Sequence, residues 1–174
     1  MRRIVLPLVV GIIFLILQTT LLSSFPIQRI RPDILLIFTL YLAFLFPPVT
    51  GGILAFLMGY LMDLLSGDAL GFYTFSRPLI FFVAQFFKEK FYVEGFSSQF
   101  FFVFVSALLE GMLILILMNA LQPLSFGKLY PLLFTSLLPQ SFFTGLAAPL
   151  LFFLFQKGSS FLFPQPEKGV KEKV

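Results

Sequence analysis

Six apolar runs divide the chain, each closed by a short polar or proline-rich break. They cover Ile4–Ser23, Asp33–Phe46, Val49–Ser66, Pro78–Phe87 (with an earlier start at Phe72 as an option), Ser97–Leu121 and Pro131–Phe155. Runs of this length and apolarity predict helices that cross a bilayer. Asp33–Phe46 is short for a span and is stopped by Pro47-Pro48. The fourth run is the weakest, because Arg77 and Pro78 stand where its outer turn should be. In the sixth, Pro139, Gly145 and Pro149 predict kinks.

Within the third run the small residues fall four apart: Gly51, Ala55, Gly59, then Asp63, then Gly67 and Gly71. That spacing keeps them on one slowly drifting helix face. A bare stripe lets a second helix approach closely, either an internal one or a partner's. Asp63 lies in the stripe, and a carboxylate in a membrane helix should face protein or water rather than lipid.

Composition agrees with the pattern. Of 174 residues, 59% are hydrophobic and only 11% charged, too apolar a balance for a soluble domain. The expected fold class is an all-α membrane protein, a six-transmembrane-helix bundle forming one domain over residues 1–156. Residues 157–174 would be a basic, disordered cytoplasmic tail. The Met1-Arg-Arg start looks like a secretory signal. However, the run behind it exceeds the usual core of roughly 7–15 residues and no small-x-small site follows, so an uncleaved helix is expected.

Charge sets the topology. With the N-terminus inside, inner segments hold Arg2, Arg3, Lys88, Lys90, Lys157, Lys168, Lys171 and Lys173. Outer loops hold Arg29, Arg31, Arg77 and Lys128. The bias predicts both termini in the cytoplasm, and the net charge of +4 reads as topological rather than as a nucleic-acid footprint.

Candidate chemistry is sparse. There is no Cys, His or Trp, which removes thiol chemistry, disulfides and His-based metal sites. No Gly-x-Ser-x-Gly and no P-loop occur, so no enzyme activity, cofactor or metal site is expected. Asp63 reads either as a partner or cavity contact, or as an ion pair with Arg77 or a headgroup contact. Glu110 falls near the middle of the fifth run, with no Lys or Arg expected at its depth. It should be protonated and hydrogen-bonded, with Gln85 or Gln140 as partners, in a structural or interface role. Asp33 fits a helix N-terminus. Arg29 and Arg31, on the outer side against the charge rule, would meet lipid phosphate or an acidic partner. The 27 phenylalanines read as lipid-facing and packing residues.

Three stretches carry a resemblance. They are Leu17-Gln18-Thr19-Thr20-Leu21, then Arg31-Pro32-Asp33-Ile34-Leu35, then Gly59 to Gly71 with its Gly-x-x-x-Asp-x-x-x-Gly core. Together, in this order, they resemble the bacterial rod shape-determining protein MreD family. The resemblance implies a non-enzymatic inner-membrane subunit of the cell-elongation machinery, beside the membrane-anchored shape protein MreC. Actin-like MreB, the glycan polymerase RodA and its partner transpeptidase would share the complex. It also implies a fold similar to the substrate-binding subunits of energy-coupling-factor transporters. The stripe at Gly51, Ala55, Gly59, Asp63, Gly67 and Gly71 would accept the MreC anchor helix, with Arg29, Arg31, Asp33, Asp63 and Arg77 fixing register. The alternative is a substrate-binding subunit of a vitamin transporter, although the first run lacks the Ala-x-x-x-Ala docking pattern. An intramembrane enzyme built on Glu110 ranks last.

Overall fold

The computed structural model describes residues 2–21, 32–66, 71–88, 95–121 and 132–162, all but a few of them helical. Six helices follow in order: α1 (Arg2–Leu21), α2 (Ile34–Leu45), α3 (Pro48–Ser66), α4 (Phe72–Phe87), α5 (Phe96–Leu121) and α6 (Leu138–Leu162). A single π turn, Leu133–Leu137, leads into α6. By length and composition, three helical stretches suffice to cross a membrane: Pro48–Leu65, Phe96–Leu121 and Leu133–Gly158. Val5–Thr20 and Ile34–Leu45 are shorter apolar helices.

The bundle is built around α2, not around the glycine stripe. Although α2 has only 12 residues, it packs on all five other helices. Leu35, Ile37, Thr39, Leu40 and Ala43 are fully buried. A helix that is apolar on every side belongs in a core, and this explains its length: it has no surface to extend along. The hydroxyl of its buried Thr39 donates back to the Leu35 carbonyl at 2.8 Å. Pro47 ends the helix. Phe46 before it is extended (φ −109°, ψ 153°), as the residue preceding a proline prefers. Pro48 then opens α3 at the first helical position, where no N–H is needed.

The closest helix pairs are α3 with α4 and α5 with α6. One face of α4 is buried, through Phe72, Ser76, Arg77, Ile80, Phe81, Ala84 and Gln85. The other carries the exposed Phe75, Phe82 and Phe86. Ser76, Arg77 and Gln85, which weaken its hydropathy, thus point inward. At one end of the bundle Phe14, Phe38, Tyr41, Phe152 and Phe155 form an aromatic cluster with ring centroids 5.2–5.8 Å apart.

The interruption expected in the sixth run appears as the π turn. Leu138 N–H bonds to the carbonyl of Leu133, five residues back. Pro139 lacks an N–H and crowds the carbonyl four residues before it, so a widened turn just ahead relieves the strain. Pro149 lies inside unbroken helix, and α6 continues through Leu162, past the domain limit expected at residue 156.

Candidate functional site: a buried charged cluster among helix ends

Where α1 and α3 stop and α2 and α4 start, side chains replace the hydrogen bonds that helix ends lack. A helix leaves its first N–H groups without intrahelical partners, and hydrocarbon offers no water to meet them. At α2, Asp33 is the N-cap and accepts from Leu36 N–H at 2.9 Å. Gln18 from α1 accepts from Leu35 N–H at 3.1 Å and donates to Asp33 Oδ1 at 3.4 Å. Thr144 from α6 accepts from Asp33 N–H at 3.1 Å. Three helices therefore meet at one capped terminus.

At α4 the same device works across a turn. Asp63, buried near the end of α3, accepts from Gly71 N–H (3.0 Å), Tyr73 N–H (3.0 Å) and Thr74 N–H (2.8 Å), and from the Thr74 hydroxyl. Gly71 sits at φ +112°, a left-handed conformation that favours glycine. Asp63 is thus neither an ion-pair partner of Arg77 nor a headgroup contact, as one reading of the sequence had it. It is a cap supplied by the preceding helix. Asp63→Asn keeps the size but turns one acceptor oxygen into a donor facing N–H groups. It should lower bundle stability by about 1–3 kcal/mol, read as a fall in the thermal midpoint of purified protein.

Arg77 corrects the sequence reading most. Expected at the outer surface, it is fully buried. Its Nη2 pairs with Asp33 Oδ2, and its Nε lies 3.1 Å from Glu110 Oε1 without hydrogen-bond alignment. Its guanidinium carbon is 5.6 Å from the centre of the Tyr73 ring. Its Nη1 has no hydrogen-bond partner among the described residues. Glu110, expected without a cation at its depth, has one, and it also accepts from Ser76 Oγ at 3.2 Å. Neither glutamine bonds to it. Gln85 donates to the Phe46 carbonyl at the end of α2 (2.7 Å), while Gln140 lines a neighbouring cavity. The helix periodicity held the missed signal: Arg77 shares a face with Ile80, Phe81 and Ala84, three, four and seven residues on, so it points into the bundle.

The glycine stripe is occupied from within. A Cβ on Gly59 would lie 2.3 Å from the Tyr73 carbonyl oxygen, and one on Gly51 would lie 2.2 Å from the Phe81 ring. Ala55 is fully buried. The helix that approaches this face is α4. Gly71 belongs to the cap rather than to the stripe, and Gly67, Arg29 and Arg31 lie outside the described residues.

Residues 1–158 match the family model for rod shape-determining protein MreD. The chain belongs to the MreD family. Membership implies a role in rod shape determination and fits a membrane-associated complex of the cell-shape machinery; MreD proteins are shape-determining structural proteins, not a known enzyme family. No curated protein and no solved structure matches the chain, so the expected likeness to energy-coupling-factor subunits gains no support, nor does the transporter alternative. The MreD resemblance noted in the sequence rested on three stretches, and each now has a structural role. Gln18 and Asp33 cap α2, while Gly59, Asp63 and Gly71 seat and cap α4.

Proposed function

We propose that this chain is a non-enzymatic, multi-pass subunit of the bacterial cell-elongation complex, in the inner membrane with both termini cytoplasmic. It holds the anchor helix of MreC by direct packing and supports the wall synthases, RodA and its partner transpeptidase, with MreB in the same assembly. The family match over residues 1–158 carries this reading. The interior adds support: its charged groups are engaged with one another and with helix ends, an arrangement suited to a stiff platform. Because α4 fills the small-residue face, the anchor helix docks on an outward face instead.

Site-directed cross-linking tests this directly, since the chain contains no cysteine. Single cysteines at the exposed positions Val9, Phe82, Ile116 and Phe153 sample α1, α4, α5 and α6. One at the fully buried Ala55 serves as control. Cross-links to a cysteine in the MreC anchor helix should cluster on one outward face and be absent at Ala55. An efficient cross-link at Ala55, or none at any position despite co-purification, overturns direct helix packing.

A further inference from the structure

Gln18, Asp33 and Thr144 are joined by hydrogen bonds, so α1, α2 and α6 share a level at the charged cluster. From that level α1 runs back to Leu6, α2 runs on to Leu45 and α6 to Gly158, about 18–21 Å in each case at 1.5 Å per residue. These three residues line the far end of a cavity of about 250 Å³. There α1 and α6 both pack on α2 and meet through Phe14 and Phe155, whose ring centroids are 5.2 Å apart. Past those rings the facing positions shrink, to Val10 and Pro7 on α1 and to Gly158 on α6. A Cβ on Gly158 would meet nothing within 4 Å. The result is a cleft between the two helices, closed at the rings and lined by apolar side chains apart from Tyr41.

Length and charge indicate what fills it. The cleft runs about 12 Å along α1, from Leu6 to Phe14, against roughly 15 Å of hydrocarbon in one leaflet. A partner helix that spans the bilayer continues past that depth, so the closure at Phe14 and Phe155 excludes it from the cleft. A hydrocarbon chain that ends near the bilayer centre fits. At the other end Arg2 and Arg3 open α1, about one turn before Leu6, and Lys157 adjoins Gly158. Lys157 is exposed and has no ion-pair partner among the described residues. None of α1, α2 and α6 contains an acidic residue. Cations at this level attract anionic headgroups.

We propose that the cleft between α1 and α6 binds one acyl chain of an anionic phospholipid, with the headgroup at the level of Arg2, Arg3 and Lys157. The apolar walls hold the chain and the cations select the headgroup. The proposal concerns a lipid rather than a protein contact, so it stands or falls separately from the docking of a partner helix.

The test is native mass spectrometry of the full chain in one detergent, titrated with phosphatidylglycerol or with phosphatidylcholine of the same acyl chains. One phosphatidylglycerol should bind saturably and at least tenfold more tightly than phosphatidylcholine, on the order of what two cations contribute. Arg3→Gln and Lys157→Gln should each weaken phosphatidylglycerol by about fivefold and leave phosphatidylcholine unchanged. Gly158→Phe places a ring in the open space, and should weaken both lipids while the thermal midpoint is kept. Lys157→Gln alters no lining residue, so it decides the matter even if the filled variant does not fold. Equal binding of the two lipids, or a phosphatidylglycerol affinity untouched by both charge variants, overturns the proposal and leaves the cations a purely topological role. Undiminished binding to folded Gly158→Phe overturns it as well. So does a dimer of the parent chain that Gly158→Phe dissolves, which would give the cleft to a second copy.

Discussion

Replacing Arg77 with methionine is expected to unfold or severely loosen the bundle, because it leaves Asp33 and Glu110 as buried carboxylates without a cation. Breaking a buried ion pair from one side costs about 3–5 kcal/mol, while removing every charged member together is often close to neutral. The decisive comparison is therefore between the single variant and Arg77→Met combined with Asp33→Asn and Glu110→Gln. The single variant should lose the folded, monodisperse species in detergent. The triple variant should regain most of it, less what Asp33 contributes as the cap of α2. Arg77→Lys should fall between them, since one ammonium lacks the planar fork that lets a single side chain engage acids on two helices. A single variant as stable as the parent would mean that the three charges are not joined as described. Cells relying on that variant should also lose rod shape, through lack of folded protein.

Why the cluster escaped the sequence while the bundle did not is a matter of range. Hydrophobic runs and prolines are local, and they placed the helices within a few residues. The earlier of two starts considered for the fourth run, Phe72, is the observed one. The central role of α2 was within reach, since only Thr39 and Tyr41 interrupt its apolar sequence and neither makes a polar face. A run apolar on all sides reads as a buried helix as readily as a short span. The face of Arg77 was also legible, but its partners were not. Asp33 is 44 positions away and Glu110 is 33, on two other helices, and no periodicity within α4 names them. The three stretches that carried the family resemblance were legible as motifs and opaque as physics. Their common role, supplying hydrogen bonds to helix ends where water is scarce, emerged only when Gln18 was seen against Leu35 and Asp63 against Gly71, Tyr73 and Thr74.

That shared role makes Gly59 the position least tolerant of a side chain. Its missing Cβ is 2.3 Å from the Tyr73 oxygen, 2.8 Å from the Tyr73 carbonyl carbon and 3.0 Å from Thr74 Cα, all backbone atoms that no rotamer change can move. They belong to the turn that Asp63 caps, so pushing α4 away also pulls Tyr73 N–H and Thr74 N–H from the carboxylate. Gly59→Ala should improve helix propensity by about 1 kcal/mol. Against this stand about 1–3 kcal/mol for overpacking and a further 0.5–2 kcal/mol for the weakened cap, so the net effect is a clear loss. Gly59→Leu should not yield a folded bundle, which disqualifies it as a probe of partner docking despite its place in the stripe. The neighbouring glycines calibrate the claim. At Gly51 the obstacle is the buried Phe81 ring, and at Gly52 it is the edge of Phe82, which is half exposed and can swing aside. The loss of stability on substitution by alanine should therefore run Gly59, then Gly51, then Gly52, with Gly52→Ala near neutral or slightly stabilising. A thermal midpoint for Gly59→Ala at or above that of Gly52→Ala would show that α3 and α4 are not in backbone contact there, and the stripe would again be open to a helix from another protein.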